Sequence, residues 1–171
     1  LQQSTMGAPV VLCCNMMDEA RAAGIHIDME RLSSLMGIPV LPMVARTGEG
    51  LTEAMNMAIK LASEGKRNAL RISYGSDIDP VLLDMEKRIE DSGLLTKKYM
   101  PHWIALKILE GDSEIMSEVR AANAALAEEL EAMRKKAAAH VRSTLNANLE
   151  SIITDYRYGF IRSLLRDRSE E

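Results

Sequence analysis

The sequence predicts an α/β segment with parallel strands followed by an all-α domain. Three observations lead there. Two compact apolar runs, residues 10–14 and 38–44, are each followed by breaker residues and then by helical patterning. The resulting order of strand, helices, strand, helix over residues 1–66 implies parallel strands joined by right-handed crossovers. From about residue 67 onward the pattern turns to helical periodicity and helix-favouring composition. The domain boundary is therefore placed between residues 1–66 and 67–171.

In chain order, Gly7-Ala8-Pro9 reads as a turn and residues 10–14 as a strand buried on both faces. Residues 18–23 form a short helix stopped by Gly24. Asp28 caps a helix over residues 29–36, with Gly37 as its terminator. The run Ile38-Pro39-Val40-Leu41-Pro42-Met43-Val44 is a second strand, whose prolines point to an edge or to strand ends. Residues 45–50 are a Gly-rich loop. Residues 51–63 form an amphipathic helix with Leu51, Met55, Ala58, Ile59 and Ala62 on one stripe, ended by Gly65-Lys66-Arg67.

Beyond it, Leu70, Ile72 and Tyr74 alternate with polar residues and allow one short strand. Asp79 caps a helix with Pro80 at its first position, running to Asp91. Further helices are expected from Pro101 to Leu109, from a Ser113 cap to about Ala121, over residues 124–139, and over residues 145–165.

The 171 residues carry a net charge of −4, which gives no general electrostatic attraction for nucleic acid. No apolar run approaches the ~20 residues that span a bilayer. Cys13 and Cys14 are adjacent, so a bridge between them is severely strained. They read as small hydrophobes in a reduced, cytosolic setting. The opening Leu1-Gln2-Gln3-Ser4-Thr5 leads into a strand without an initiator Met, and the chain is expected to be part of something longer.

The chemistry concentrates where the strands end. Residues Asn15 and Asp18 leave the first apolar run on its C-terminal side, the side on which open α/β sheets bind ligands. A carboxylate there accepts the N1–H and the exocyclic NH₂ of guanine together, and facing adenine it is left unpaired. Sites built to pair such groups reject the wrong partner by ~10⁴-fold or more. Asn15 is placed to bridge the base and neighbouring backbone. Ala45, at the end of the second strand, is placed to offer its N–H to the guanine O6. An Asn-x-x-Asp spacing alone also fits an ordinary strand-to-helix turn with an acid near a helix start. What favours the ligand reading is the second strand ending in Val44-Ala45-Arg46, close to 30 residues later, with a Gly-rich loop and helix behind it.

This pair of segments resembles the last two recognition boxes of the P-loop GTPases, usually Asn-Lys-x-Asp and Ser-Ala-Lys. Met16 stands where Lys is usual, Val44 where Ser is usual, and Arg46 where Lys is usual. The departures, with Gly24-Ile25-His26-Ile27-Asp28, Leu35-Met36-Gly37-Ile38-Pro39-Val40 and Ala45-Arg46-Thr47-Gly48-Glu49-Gly50-Leu51, resemble bacterial ferrous iron transport protein B. The block from Pro101-His102-Trp103 to Gly111-Asp112 is similar to the helical domain after that family's GTPase domain. Asp155-Tyr156-Arg157-Tyr158-Gly159-Phe160-Ile161 is similar to the segment before its first membrane helix.

The resemblance implies that residues 1–66 are the C-terminal part of a GTPase domain and residues 67–171 a helical domain leading to a membrane region. It implies guanine contacts from Asn15, Met16, Asp18, Val44, Ala45 and Arg46, with GTP or GDP as ligand. Met16 would pack its stem over the base, and the loss of the Ser hydroxyl at Val44 predicts weakened binding. The Gly-x-x-x-x-Gly-Lys-Ser/Thr loop, the switch Thr segment and the Asp-x-x-Gly box, which cradle phosphates and hold Mg²⁺, do not occur in the sequence. No catalytic residue is expected in this chain, and it alone should not hydrolyse GTP. The expected setting is the cytoplasmic side of the bacterial inner membrane, with the transporter's own membrane domain as partner. The helical domain would couple nucleotide state to Fe²⁺ uptake. A truncated sheet edge predicts self-association.

Other residues read more plainly. His26, His102 and His140 lack ligand spacing and are expected in surface or packing roles. The 12 Met are expected as core filler, and Trp103 as a core anchor. Glu128, Glu129, Glu131, Arg134, Lys135 and Lys136 form a solvated helix face. Arg157, Arg162, Arg166 and Arg168 are placed to meet anionic headgroups or solvent. Two rival readings are a helical interaction module without a nucleotide and a piece of another P-loop GTPase.

Overall fold

The computed structural model of the chain describes residues 9–64, 71–96 and 98–166. Two compact units divide at Leu70 and Arg71. Predicted features at residues 1–8, 65–70, 97 and 167–171, including the opening segment, the Gly65-Lys66-Arg67 stop, Leu70 and Arg168, lie outside the described residues.

The first unit holds β1 (Leu12–Cys14), α1 (Met17–Ala22), α2 (Met29–Met36), β2 (Val40–Pro42) and α3 (Leu51–Glu64). The strands are parallel, with Leu12 opposite Val40, Cys13 opposite Leu41 and Cys14 opposite Pro42. Between them, α2 is delimited as its residues dictate. The Asp28 side chain accepts the Arg31 N–H at 2.9 Å, and Gly37 leaves the helix with φ 63°. Ser33 then donates to the Ile38 carbonyl at 2.7 Å, tying the helix to the chain entering β2. Met17, Met36, Ile38, Val40 and Val44 are buried.

Three expectations for this unit are corrected. Both strands are three residues long, shorter than the apolar runs that announce them. β1 is half-buried throughout and not covered on both faces, because β2 is its one strand partner among the described residues. Cys13 and Cys14, both free thiols, are likewise half-buried. The apolar stripe of α3 forms as patterned, yet none of its 14 residues is buried.

The second unit holds α4 (Asp79–Ser92), α5 (Pro101–Glu110), α6 (Ser113–Ala122), α7 (Ala124–Leu145) and α8 (Leu149–Arg166). Helix α5 is its centre. His102 to Leu106, Ile108 and Leu109 are all buried, the signature of a helix surrounded by others. Around it stand Leu82, Met85 and Ile89 of α4, Val119 of α6, Leu130 and Val141 of α7, and Ile153 of α8. Trp103 anchors this core as expected, stacked on Tyr99 with ring centroids 4.6 Å apart. Among the described residues no helix is long and apolar enough to cross a membrane.

Differences from the expected elements have local causes. Residues 71–75 form no strand, although Ile72 and Tyr74 both point inward and are buried. Asp79 does not cap α4. Its carboxylate accepts the Tyr74 N–H at 2.7 Å and the Ser73 hydroxyl at 2.6 Å, so it closes the turn before the helix. Asp112, not Ser113, caps α6. Helix α7 continues past Ala139 to Leu145, and Asn146 at φ 50° breaks it from α8. Arg157 does not face outward: it is 13 % exposed and ion-paired with Glu110.

Candidate functional site

Everything singled out at the strand ends belongs to the first unit. The chain leaves β1 at Cys14, whose carbonyl accepts the Met43 N–H at 2.8 Å, and the Met17 N–H returns to the Met43 carbonyl at 3.3 Å. These two bonds hold the segments after β1 and β2 side by side. The Asn15 side chain adds a third tie, its Oδ1 accepting the Ala45 N–H at 3.0 Å. The amide expected to face a base oxygen is therefore held by Asn15 in this state.

Met16 is the hinge of the turn. Its backbone is left-handed, with φ 62° and ψ 34°, unusual for a side chain of its size. Its carbonyl accepts from both Glu19 and Ala20 at 3.1 Å, which fixes the peptide as α1 begins. Such strained residues cluster at ligand clamps, held by the structure around them. Met16 is left 53 % exposed.

Asp18 stands in the first turn of α1, its side chain 33 % exposed. Arg46 reaches across from the other segment and donates from Nη2 to Asp18 Oδ2 at 2.9 Å. That bond, above all, holds the Asp18 carboxyl below the usual carboxylate range, so Asp18 is ionised at neutral pH and poised as an acceptor. Val44 is buried to 2 % and supplies backbone only. Its N–H bonds the Glu49 carbonyl at 2.9 Å, and its carbonyl accepts the Thr47 and Gly48 amides at 3.1 and 3.0 Å.

The loop over residues 45–50 thus folds back on itself. Gly50 permits its closure: φ is 79°, and a Cβ there would overlap the Pro42 carbonyl oxygen. The six predicted residues are all brought to this one place, Val44 through its backbone. The sequence reading missed the clasp between Arg21 and Glu49, whose carboxylate oxygens lie 2.8 and 3.1 Å from Arg21 Nη2. No local spacing signals it, since 28 positions separate Arg21 from Glu49.

Among the described residues no group of three His, Cys, Asp or Glu is arranged to hold a metal. His102 is buried with Nδ1 3.1 Å from Glu86 Oε2, and His140 Nε2 lies 3.0 Å from Asp77 Oδ1. Cys14 has its thiol pushed up by burial and then by Cys13, which makes it a poor nucleophile.

Comparison with known proteins places both units. A family model described as "Ferrous iron transport protein B" matches residues 1–58, and one described as "FeoB cytosolic helical domain" matches residues 74–168. A fusion of Fe(2+) transport protein A with the Fe(2+) transporter FeoB from Porphyromonas gingivalis is 37 % identical over 98 % of this chain. The Fe(2+) transporter FeoB of Staphylococcus aureus is 29 % identical over 98 %. This chain spans 20 % of the first relative and 24 % of the second. Among solved structures, NFeoB from S. thermophilus bound to mGMPPNP superposes with TM-score 0.74 at 20 % identity, over 96 % of this chain and 59 % of that one. The same protein bound to GDP, AlF4- and K+ gives 0.74 at 20 % identity, over 95 % and 60 %. These likenesses establish the fold: a parallel α/β segment of a GTPase domain, then a helical domain. With two family models matched in order along it, the chain belongs to the ferrous iron transport protein B family.

Proposed function

We propose that the strand-end site is the base-recognition part of a guanine-nucleotide site in a ferrous iron transporter. The carrying observation is the Asn15–Ala45 hydrogen bond, which draws the two strand ends together beside the part-exposed carboxylate of Asp18. In this reading Asp18 accepts the guanine N1–H and NH₂. Asn15 locks the loop to β1, Met16 covers one face of the ring, and the backbone of Val44 and Ala45 frames its edge. Arg46 stands at the rim, paired with Asp18 in this state. The ligand is GTP or GDP, consistent with the nucleotides named for the similar NFeoB structures. Phosphates and Mg²⁺ fall to the phosphate-loop and switch motifs that this sequence does not contain. The chain alone is therefore expected not to hydrolyse GTP.

For the whole protein, residues 1–66 would form the closing part of the GTPase domain. Residues 67–171 would couple its nucleotide state to a membrane domain that passes Fe²⁺, with this region on the cytoplasmic side of the bacterial inner membrane. The names of the curated relatives support the transport assignment. The open sheet edge supports self-association, tested below.

Titration of GTP, GDP and ATP into the full-length protein tests the reading. Wild type should prefer guanine nucleotides, and Asp18→Ala should lose that preference by two or more orders of magnitude, as for other sites that pair a polar substrate edge. Equal affinity for ATP, or indifference to Asp18→Ala, sinks it and leaves a helical interaction module as the better account.

A further inference from the structure

We propose that Arg46 is a built-in competitor for the guanine seat. Its guanidinium occupies the Asp18 carboxylate with an N–H donor of the kind the guanine edge supplies, and nucleotide entry displaces it. This rests on the guanine reading of Asp18 and adds a regulating residue to it.

Chemically, guanidinium and the guanine N1–H/NH₂ edge are both planar and both present N–H donors that a carboxylate accepts in its own plane. Guanine needs both oxygens of Asp18, and Arg46 Nη2 already sits 2.9 Å from Oδ2. The loop holds Arg46 in this position. On one side the Ala45 N–H is tied to Asn15. On the other, the Thr47 N–H is tied to the Val44 carbonyl at 3.1 Å, and Glu49 is clasped by Arg21. The guanidinium itself crosses from this loop to the Asp18 carboxylate.

The competitor is weak by construction. The Arg46 side chain is 81 % exposed and swings into water when displaced. Exposed ion pairs stabilise little and are screened by salt. It therefore sets a threshold for nucleotide entry without closing the site. Its discrimination works in the same sense, since the guanine edge brings two N–H donors to Asp18 against the one that Arg46 Nη2 supplies, whereas the adenine edge brings at most one and gains little by displacing it.

The opposite role is also defined. If Arg46 braced Asp18 in the orientation that guanine needs, its removal would weaken binding. The two readings differ in sign. GDP is titrated into the full-length wild type, Arg46→Ala, Arg46→Lys and Asp18→Ala at low and high ionic strength. The competitor predicts that Arg46→Ala binds GDP about two- to five-fold more tightly at low salt, the range that exposed ion pairs allow. Arg46→Lys falls between, and the gap narrows at high salt. ATP binding stays unchanged. A loss of GDP affinity in Arg46→Ala overturns the proposal and makes Arg46 a brace. An unchanged affinity overturns it as well. If Asp18→Ala keeps guanine selectivity, the guanine reading itself has failed, an outcome separate from these. A second measurement needs no nucleotide. Carboxyl NMR of this 171-residue chain should show the Asp18 titration moving to higher pH in Arg46→Ala, and no movement means the pair does not form in solution.

Discussion

Glu86 lies between a guanidinium at the surface and an imidazole in the core. Arg71 reaches its two oxygens at 3.1 and 2.5 Å, and His102 Nδ1 stands 3.1 Å away, with the Glu86 side chain 12 % exposed. Burial disfavours the charge, but Arg71 and His102 outweigh it and leave the carboxyl below the usual carboxylate range. A depressed folded-state pKa contributes stability that is present above the unfolded value, about 4.3. It is lost as pH falls through the folded value. Glu86→Gln should therefore cost about 1–3 kcal/mol at pH 7, because it strips Arg71 and His102 of a charged partner. It should cost little at a pH below the folded value, and urea denaturation at both pH values checks this. The cluster was not legible in the sequence. Sixteen positions separate Glu86 from His102, and no local rule joins them. Asn15 and Asp18 were legible, because polar residues that follow a short apolar run and open a helical stretch mark a strand-to-helix turn. The Arg46–Asp18 pair was not, since it depends on how a loop folds back.

Helix ends show how far the element scale could be read. Asp28 and Gly37 bound α2 as the sequence indicates, since an isolated cap and an isolated glycine flank one amphipathic stretch. Where two capping residues adjoin, as at Asp112-Ser113, backbone dihedrals choose between them. Asp112 is extended, at φ −64° and ψ 110°. Its Oδ1 accepts the Glu114 and Ile115 amides at 3.1 Å, while Oδ2 pairs with Lys107 at 3.2 Å. The Ile115 amide first, and Lys107 after it, keep this carboxyl below its usual range. One side chain thus starts α6 and ties back to Lys107 in the last turn of α5, which Gly111 ends. Asp112→Ala should destabilise the second unit by about 1 kcal/mol, the usual worth of an N-cap. Asp112→Asn should retain most of that, since it keeps the neutral acceptor and gives up only the pair with Lys107. Thermal unfolding of the two variants tests the order. Pattern alone could not decide the 71–75 segment. Ile72 and Tyr74 alternate as in a strand, yet strand assignment needs a neighbour to pair with, and none is present there among the described residues.

At the scale of the whole chain the two units differ in how fully they are covered, and that difference is testable. The second unit wraps α5 on nearly all sides. The first has a two-stranded sheet and a 14-residue helix with no buried residue. Reading β1 as buried on both faces failed for this reason: an apolar run records what its domain packs against it, and the described residues supply only part of that packing. Two strands rarely suffice for independent stability, and an open edge recruits further strands. Leu51, Met55 and Ile59 stand 48, 57 and 64 % exposed along one side of α3, an apolar stripe of the kind that marks an association surface. The 171-residue chain should therefore self-associate as its concentration rises. Met55→Lys with Ile59→Lys should shift that equilibrium towards monomer while leaving the helical content intact, since neither side chain contributes to a core. Light scattering over a concentration series, with circular dichroism on the same samples, measures both. A wild-type chain that stays monomeric at high concentration would show that neither the strand edge nor the α3 stripe drives association.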